Sequence, residues 1–173
     1  MSGKVKPTFA ERLLAWWDVH GRQDLPWQHP RTPYRVWISE IMLQQTQVAT
    51  VIPYFERWMQ DFPDVPALAA ASVDDVLAHW SGLGYYARAR NLHRAAIRCM
   101  KEHGGDLPRG AQALSALPGI GLSTANAIVS QSTDAPAAVL DGNVRRVLSR
   151  HALIEGWSGK ASVLKRLWAE AAA

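Results

Sequence analysis

Cysteine is nearly absent from this chain: Cys99 is the only one in 173 residues. A single thiol excludes an internal disulfide framework. No run of apolar residues reaches the ~18 that a membrane-spanning helix needs, so no transmembrane segment is expected. The opening residues, Met1 to Pro7, lack the apolar stretch of a secretion signal, and a cytoplasmic location is the expectation. Six histidines are scattered without metal-site spacing, which leaves zinc unsupported. There is no low-complexity linker and no internal period. Excess charge is also slight. Nineteen basic and fifteen acidic residues give +4, which is compatible with a nucleic-acid partner but does not single one out. Tryptophan, by contrast, is abundant at eight residues, including Trp16, Trp17, Trp27 and Trp37. Most are expected in the core or between packed lobes, because an indole carries a large apolar area.

Strand alternation is missing as well, and Ala137–Leu140 is too short to supply it. Glycine and proline divide the chain into helical intervals. Thr8-Phe9-Ala10-Glu11 fits a capping box ahead of Leu13, Leu14, Trp16 and Trp17, with Gly21 as a stop. A loop from Asp24 to Arg31 leads to Thr32-Pro33, a helix start with proline in the first turn. Tyr34, Trp37, Ile38 and Ile41 then form an apolar stripe at helical spacing. Further helices are predicted over Thr50–Gln60, with Pro53 confined to the first turn, and over Ser72–Trp80, Tyr86–His103, Gly110–Leu117, Thr124–Gln131, Asn143–His151 and Lys160–Ala171. The fold class is all-α.

Four stretches carry chemistry. Glu40 stands in the apolar run Val36–Leu43, where desolvation would raise its pKa and suit it to general-acid work; a solvent-facing carboxylate on an amphipathic helix is the alternative. Gln44, Gln45, Thr46 and Gln47 follow at that helix's end, with amides able to read base edges or replace a base in a stack. Gly82-Leu83-Gly84-Tyr85-Tyr86-Ala87-Arg88-Ala89-Arg90 offers close backbone approach, a stacking face at Tyr85, and phosphate contacts from Arg88 and Arg90. In Leu117–Ile128, Gly119 and Gly121 flank one apolar residue, permitting a tight turn. Ser123 or Thr124 is placed to cap the next helix, whose free N–H groups favour an anion. Beyond it, Asp141 in Leu140–Val147 reads by itself as a helix cap.

Together and in this order, Trp37–Phe55, Gly82–Leu92, Leu117–Ile128 and Val139–Val147 resemble the N-terminal part of MutY-type adenine DNA glycosylases, in the helix-hairpin-helix superfamily that includes endonuclease III. The resemblance spans roughly residues 8–170. It implies a six-helix barrel over residues 30–134. Residues 1–29 and 135–173 would form a second helical lobe, truncated before the family's iron–sulfur loop, and the cleft between lobes would hold Glu40 and Asp141. It implies that Glu40 protonates adenine, that Asp141 stabilises the cationic sugar, and that Asn143 positions sugar or water. Gln45 and Tyr85 would wedge the duplex, with Gln44 and Thr46 beside them, while Gly119, Gly121, Ser123 and Thr124 belong to the phosphate-gripping hairpin. Lyase relatives carry lysine at the Ser123 position; serine cannot form an imine, which implies a monofunctional enzyme. Leu122 replaces a commonly basic or polar residue, at the cost of a phosphate contact.

The implied partner is double-stranded DNA with adenine opposite 8-oxoguanine or guanine, bound by a monomer during base-excision repair. Full-length members hold a [4Fe–4S] cluster on four cysteines, which Cys99 alone cannot supply, so no cofactor is expected on this chain. A monovalent cation on hairpin carbonyls is a further family expectation. Two alternatives stand: a non-catalytic DNA-binding fragment, and an endonuclease III-like glycosylase/lyase.

Overall fold

The structure, a computed structural model, describes residues 6–133 and 135–173. Met1–Val5 and the lobe boundary placed at Asp134 lie outside the described residues. Among the described residues there are ten α-helices, one short 3-10 turn at Pro26–Gln28, and no strand. No helix is long and apolar enough to cross a membrane among them.

Helix α1 (Phe9–His20) starts on the predicted reciprocal cap. Thr8 Oγ1 accepts from the Glu11 N–H, and the Glu11 carboxylate accepts from the Thr8 N–H. Thr32 caps α2 (Pro33–Met42), whose stripe Tyr34, Trp37, Ile38 and Ile41 is buried. Helix α3 (Val48–Asp61) begins earlier than predicted, so Pro53 sits at its sixth position rather than in the first turn. The Ala49 carbonyl loses its donor there, but both residues lie at the surface, where solvent serves it. Helix α4 (Val65–Ala70) is unpredicted, since six residues show no period; Asp64 caps it and Val65 and Leu68 anchor it in the core. Helices α5 (Val73–Trp80, capped by Ser72) and α6 (Ala87–Glu102) follow, then the hairpin pair α7 (Ala111–Ser115) and α8 (Leu122–Ser132), and finally α9 (Gly142–His151) and α10 (Ala161–Ala172).

The hairpin corrects one expectation. Neither Ser123 nor Thr124 caps α8; the N-cap is Gly121, with no side-chain bond. The Ser123 hydroxyl instead accepts the Leu140 N–H at 3.3 Å, bracing the segment that leads to α9.

Apolar side chains gather into two clusters. The larger runs from Trp27 to Val129 and packs α2, α3, α5, α6 and α8 around Trp37, Trp58, Trp80 and Phe55. Its indoles meet edge to face, Trp58 and Trp80 at 5.7 Å and 78°. Two polar tips pair with each other and the backbone: Tyr34 Oη donates to the Phe62 carbonyl at 2.7 Å and accepts from Trp58 Nε1 at 3.2 Å, whereas the buried Trp37 Nε1 has no partner among the described residues. The smaller cluster joins Leu140, Leu148, Ile154, Val163 and Leu167, with Phe9 of α1 against it. Trp16 and Trp17 depart from expectation. Helix α1 buries no residue, and these indoles are 55% and 40% exposed.

The two environments set opposite mutational costs. Trp58→Ala should lose about 3–5 kcal/mol of unfolding free energy, whereas Leu14→Ala on exposed α1 should stay within about 0.5 kcal/mol. Urea melts at unchanged slope measure both.

Candidate active site

The end of α2, the turn after it, the start of α8 and the start of α9 enclose a cleft of about 760 Å³. It brings together eight of the predicted residues: Glu40, Gln44, Gln45, Thr46, Ser123, Thr124, Asp141 and Asn143. Arg22, Arg145 and Arg146 also line it, so the two carboxylates face a basic rim.

Helix α2 is enclosed on nearly every side. Between Val36 and Met42 only Glu40 keeps partial exposure. Burial is the main cause that raises the Glu40 pKa above the usual carboxylate range; a side-chain hydrogen bond from Gln131 opposes it, and the charge of Asp141 adds to it. The bond runs from Gln131 Nε2 to Glu40 Oε1 at 2.9 Å, across 91 residues of sequence. The open-water alternative for Glu40 is therefore not the observed environment. Asp141 is the N-cap of α9, accepting the Val144 N–H at 2.7 Å, while still forming part of the cleft wall. Asn143 sits exposed in the first turn of the same helix.

A second cluster holds the predicted wedge. Gln45 (φ 58) and Tyr85 (φ 47) both adopt left-handed backbone conformations, which cost a non-glycine residue about 1–3 kcal/mol each. Tyr85 is 67% exposed, and the two residues share a surface depression with Gln44 and exposed Arg90. Arg88 departs from the phosphate contact expected of it. Its Nη1 donates to the carbonyls of Ile41 (2.8 Å), Met42 (3.1 Å) and Gln44 (2.7 Å), and its Nη2 to those of Leu83 (3.0 Å) and Gly84 (3.3 Å). The guanidinium also stacks on Trp80 at 5.1 Å and Tyr85 at 5.7 Å. A cation among the last carbonyls of α2 completes that helix end, and the same cation ties it to the glycine loop.

In the hairpin only Gly119 needs to be glycine. Its φ is +77, and a Cβ there would lie 2.7 Å from that of Asn91. Gly121 is extended and has open space around it. The start of α8, Gly121 and Leu122, is exposed, leaving backbone N–H groups toward solvent. A four-thiolate cluster does not fit these residues. Cys99 is the one thiol of the chain, buried in the core, and burial pushes it up to about 11.

Gln131 and Arg22 were not among the predicted site residues. Gln131 could have been found: Thr124, Ala127 or Ile128, and Gln131 recur at i, i+3 or i+4, and i+7, so a polar residue stands on the otherwise inward face of α8. Arg22, beyond the end of α1, carries no such signal.

The model of HhH-GPD superfamily base excision DNA repair proteins matches residues 38–172. The chain is 46% identical over 164 residues to an adenine DNA glycosylase of Buchnera aphidicola subsp. Acyrthosiphon pisum, covering 95% of this chain and 47% of that protein. It is 47% identical over 169 residues to an adenine DNA glycosylase of Mus musculus, covering 92% of this chain and 33% of that protein. The chain thus spans less than half the length of these relatives. Among solved structures, a thermostable thymine-DNA glycosylase superposes with a TM-score of 0.80 at 26% identity, covering 94% of this chain and 75% of that one.

Two outcomes follow from the geometry. Arg88→Lys, a single ammonium unable to reach both loops, should lower stability by on the order of 2 kcal/mol, with hydrogen exchange rising in residues 44–47 and 83–85. Because folding raises the Glu40 pKa, its contribution favours the fold below the unfolded-state pKa and is lost as pH rises through the folded-state pKa. Glu40→Gln should therefore melt above wild type at pH 8, and the gap should close in acid, as read by calorimetry.

Proposed function

Because the chain belongs to the HhH-GPD superfamily of base excision DNA repair proteins, we propose that it forms the catalytic part of a monofunctional adenine DNA glycosylase. One observation carries this reading: a half-buried carboxyl with raised proton affinity, Glu40, shares a cleft with a second carboxylate, Asp141. The names of the relatives support adenine as the excised base.

A stacked base cannot reach a recessed acid, so the duplex must first be opened. Gln45 and exposed Tyr85 supply groups to fill the gap, and the hairpin N–H groups with Arg90 hold phosphates. The extruded adenine enters the cleft, and Glu40 gives its proton to N7. The C1′–N9 bond then breaks with its electron pair leaving on a neutral base. Positive charge develops on the sugar, and the Asp141 carboxylate stabilises it. Water adds at C1′ while Asn143 orients sugar or water, and the proton that water sheds restores Glu40. The products are free adenine and an abasic site. Ser123 offers no amine, and its hydroxyl is engaged with the Leu140 N–H, which disfavours lyase chemistry. The substrate in this reading is double-stranded DNA with adenine opposite 8-oxoguanine or guanine, bound by a monomeric cytoplasmic protein.

A single-turnover assay on an adenine:8-oxoguanine duplex, developed with hot alkali, tests the proposal. Glu40→Gln should cut the rate by about 10²–10⁴-fold, and wild-type rate should fall as pH rises through the raised Glu40 pKa, since the acid form is the active one. Equal cleavage by wild type and variant would remove Glu40 from the chemistry. Folded wild type that binds the duplex without cleaving it would favour a binding module, and borohydride trapping of a covalent complex would favour a lyase.

A further inference from the structure

Glu40 makes one side-chain hydrogen bond among the described residues, and its partner comes from the second hairpin helix. Gln131 sits in the last turn of α8, half-buried, where α8 packs along α2. The charged groups around the cleft are Asp141, Arg145 and Arg146 from the α9 end and Arg22 beyond α1. Helix α8 and the turn over 44–47 contribute only neutral groups, and Arg88 is turned to the carbonyls at the end of α2. None of the charged residues is hydrogen-bonded to Glu40, so the amide is its direct partner.

An amide differs from every charged alternative at that place. Its Nε2–H donates to a carboxylate, and its Oε1 accepts from a carboxylic acid once the amide turns over. We propose that Gln131 is the positioning residue of Glu40, pairing with the carboxyl in both its ionised and protonated forms and so fixing both its direction into the cleft and the pH at which it is loaded with a proton. The role deepens, and rests on, the reading of Glu40 as the proton donor. A donor to the ionised form offsets part of the cost of burial, which keeps the acid able to release its proton as well as hold it. Without it, the carboxyl would be held protonated by burial and by Asp141, with no group to set its direction.

Two straight-chain replacements, both good helix formers, separate this role from simple packing. Gln131→Met keeps the length and removes both polar atoms; Gln131→Lys places a cation beside the carboxyl. The Glu40 carboxyl carbon, assigned by its loss in Glu40→Gln, is titrated by NMR in the 173-residue chain. The midpoint should move up in Gln131→Met and down in Gln131→Lys, by roughly threefold to tenfold in ionisation ratio, the effect of one charge-assisted hydrogen bond. The alkaline limb of the single-turnover rate, each variant scaled to its own plateau, should move in the same directions. Midpoints that stay in place, or that move the same way in both variants, would overturn the proposal. Midpoints that move as stated while the rate limbs do not would uphold the pairing and count instead against Glu40 as the proton donor.

Discussion

Keeping a carboxyl group partly out of water costs free energy, and what α8 and α9 bring to the end of α2 acts on that cost. Helix α2 is enclosed on nearly every side, and Glu40 keeps only partial exposure, toward the cleft. Ser39, the buried polar residue beside it, satisfies itself by donating to the Val36 carbonyl at 2.9 Å, so it cannot help. Within the protein, relief comes from across the packing interface, where Gln131 supplies it. That bond holds only if α2 and α8 keep their register, which the core around Trp37, Trp58 and Trp80 enforces by filling space with rigid aromatic volume. Asp141 pushes the other way, since a second negative charge makes ionisation of the first harder. The resulting carboxyl retains a proton beyond the pH at which an exposed glutamate would have lost it, which is what the proposed general-acid role needs.

A second feature is built just beyond the same end of α2. Gln45 and Tyr85 stand in backbone conformations their side chains disfavour, and such strain persists only where surrounding structure over-determines it. Arg88 is that structure. One planar guanidinium gathers carbonyls from the end of α2 and from the glycine loop, so the two strained residues are fixed relative to each other and to Glu40. On the proposed chemistry, opening the duplex and protonating the base then depend on one scaffold.

What the sequence makes legible here is what local physics decides. Caps at Thr8, Thr32 and Ser72 and the stripe Tyr34–Ile41 depend on neighbours within one or two turns, and they form as the residues dictate. Glu40 and Asp141 stand out because a carboxylate in an apolar run and one ahead of a helix are unusual in one dimension. The remainder depends on partners distant in sequence. Arg88 reads as a surface cation until the carbonyls 44 to 47 residues earlier are brought beside it. Trp16 and Trp17 read as core until α1 is seen to touch the smaller cluster chiefly through Phe9. Gln131 is the instructive case: its helical spacing puts it on an inward face, but only the fold shows that the face meets Glu40.

Ser123 shows how one atom can serve two constraints. An amine there would open imine chemistry at the sugar; a hydroxyl does not. The hydroxyl is not idle, because its oxygen takes the N–H of Leu140, the residue immediately before Asp141. Leu140 is itself fully buried in the smaller cluster, so the segment is fixed by an apolar anchor and a polar brace at the same residue. Asp141 then begins α9 as its cap, with one carboxylate oxygen committed to the Val144 N–H. On the proposed chemistry a carboxylate that stabilises charge must not drift, and this one is held from both sides: by the hairpin through Leu140 and by its own helix through Val144. On that reading, the serine that disfavours imine chemistry also steadies the carboxylate assigned to the sugar.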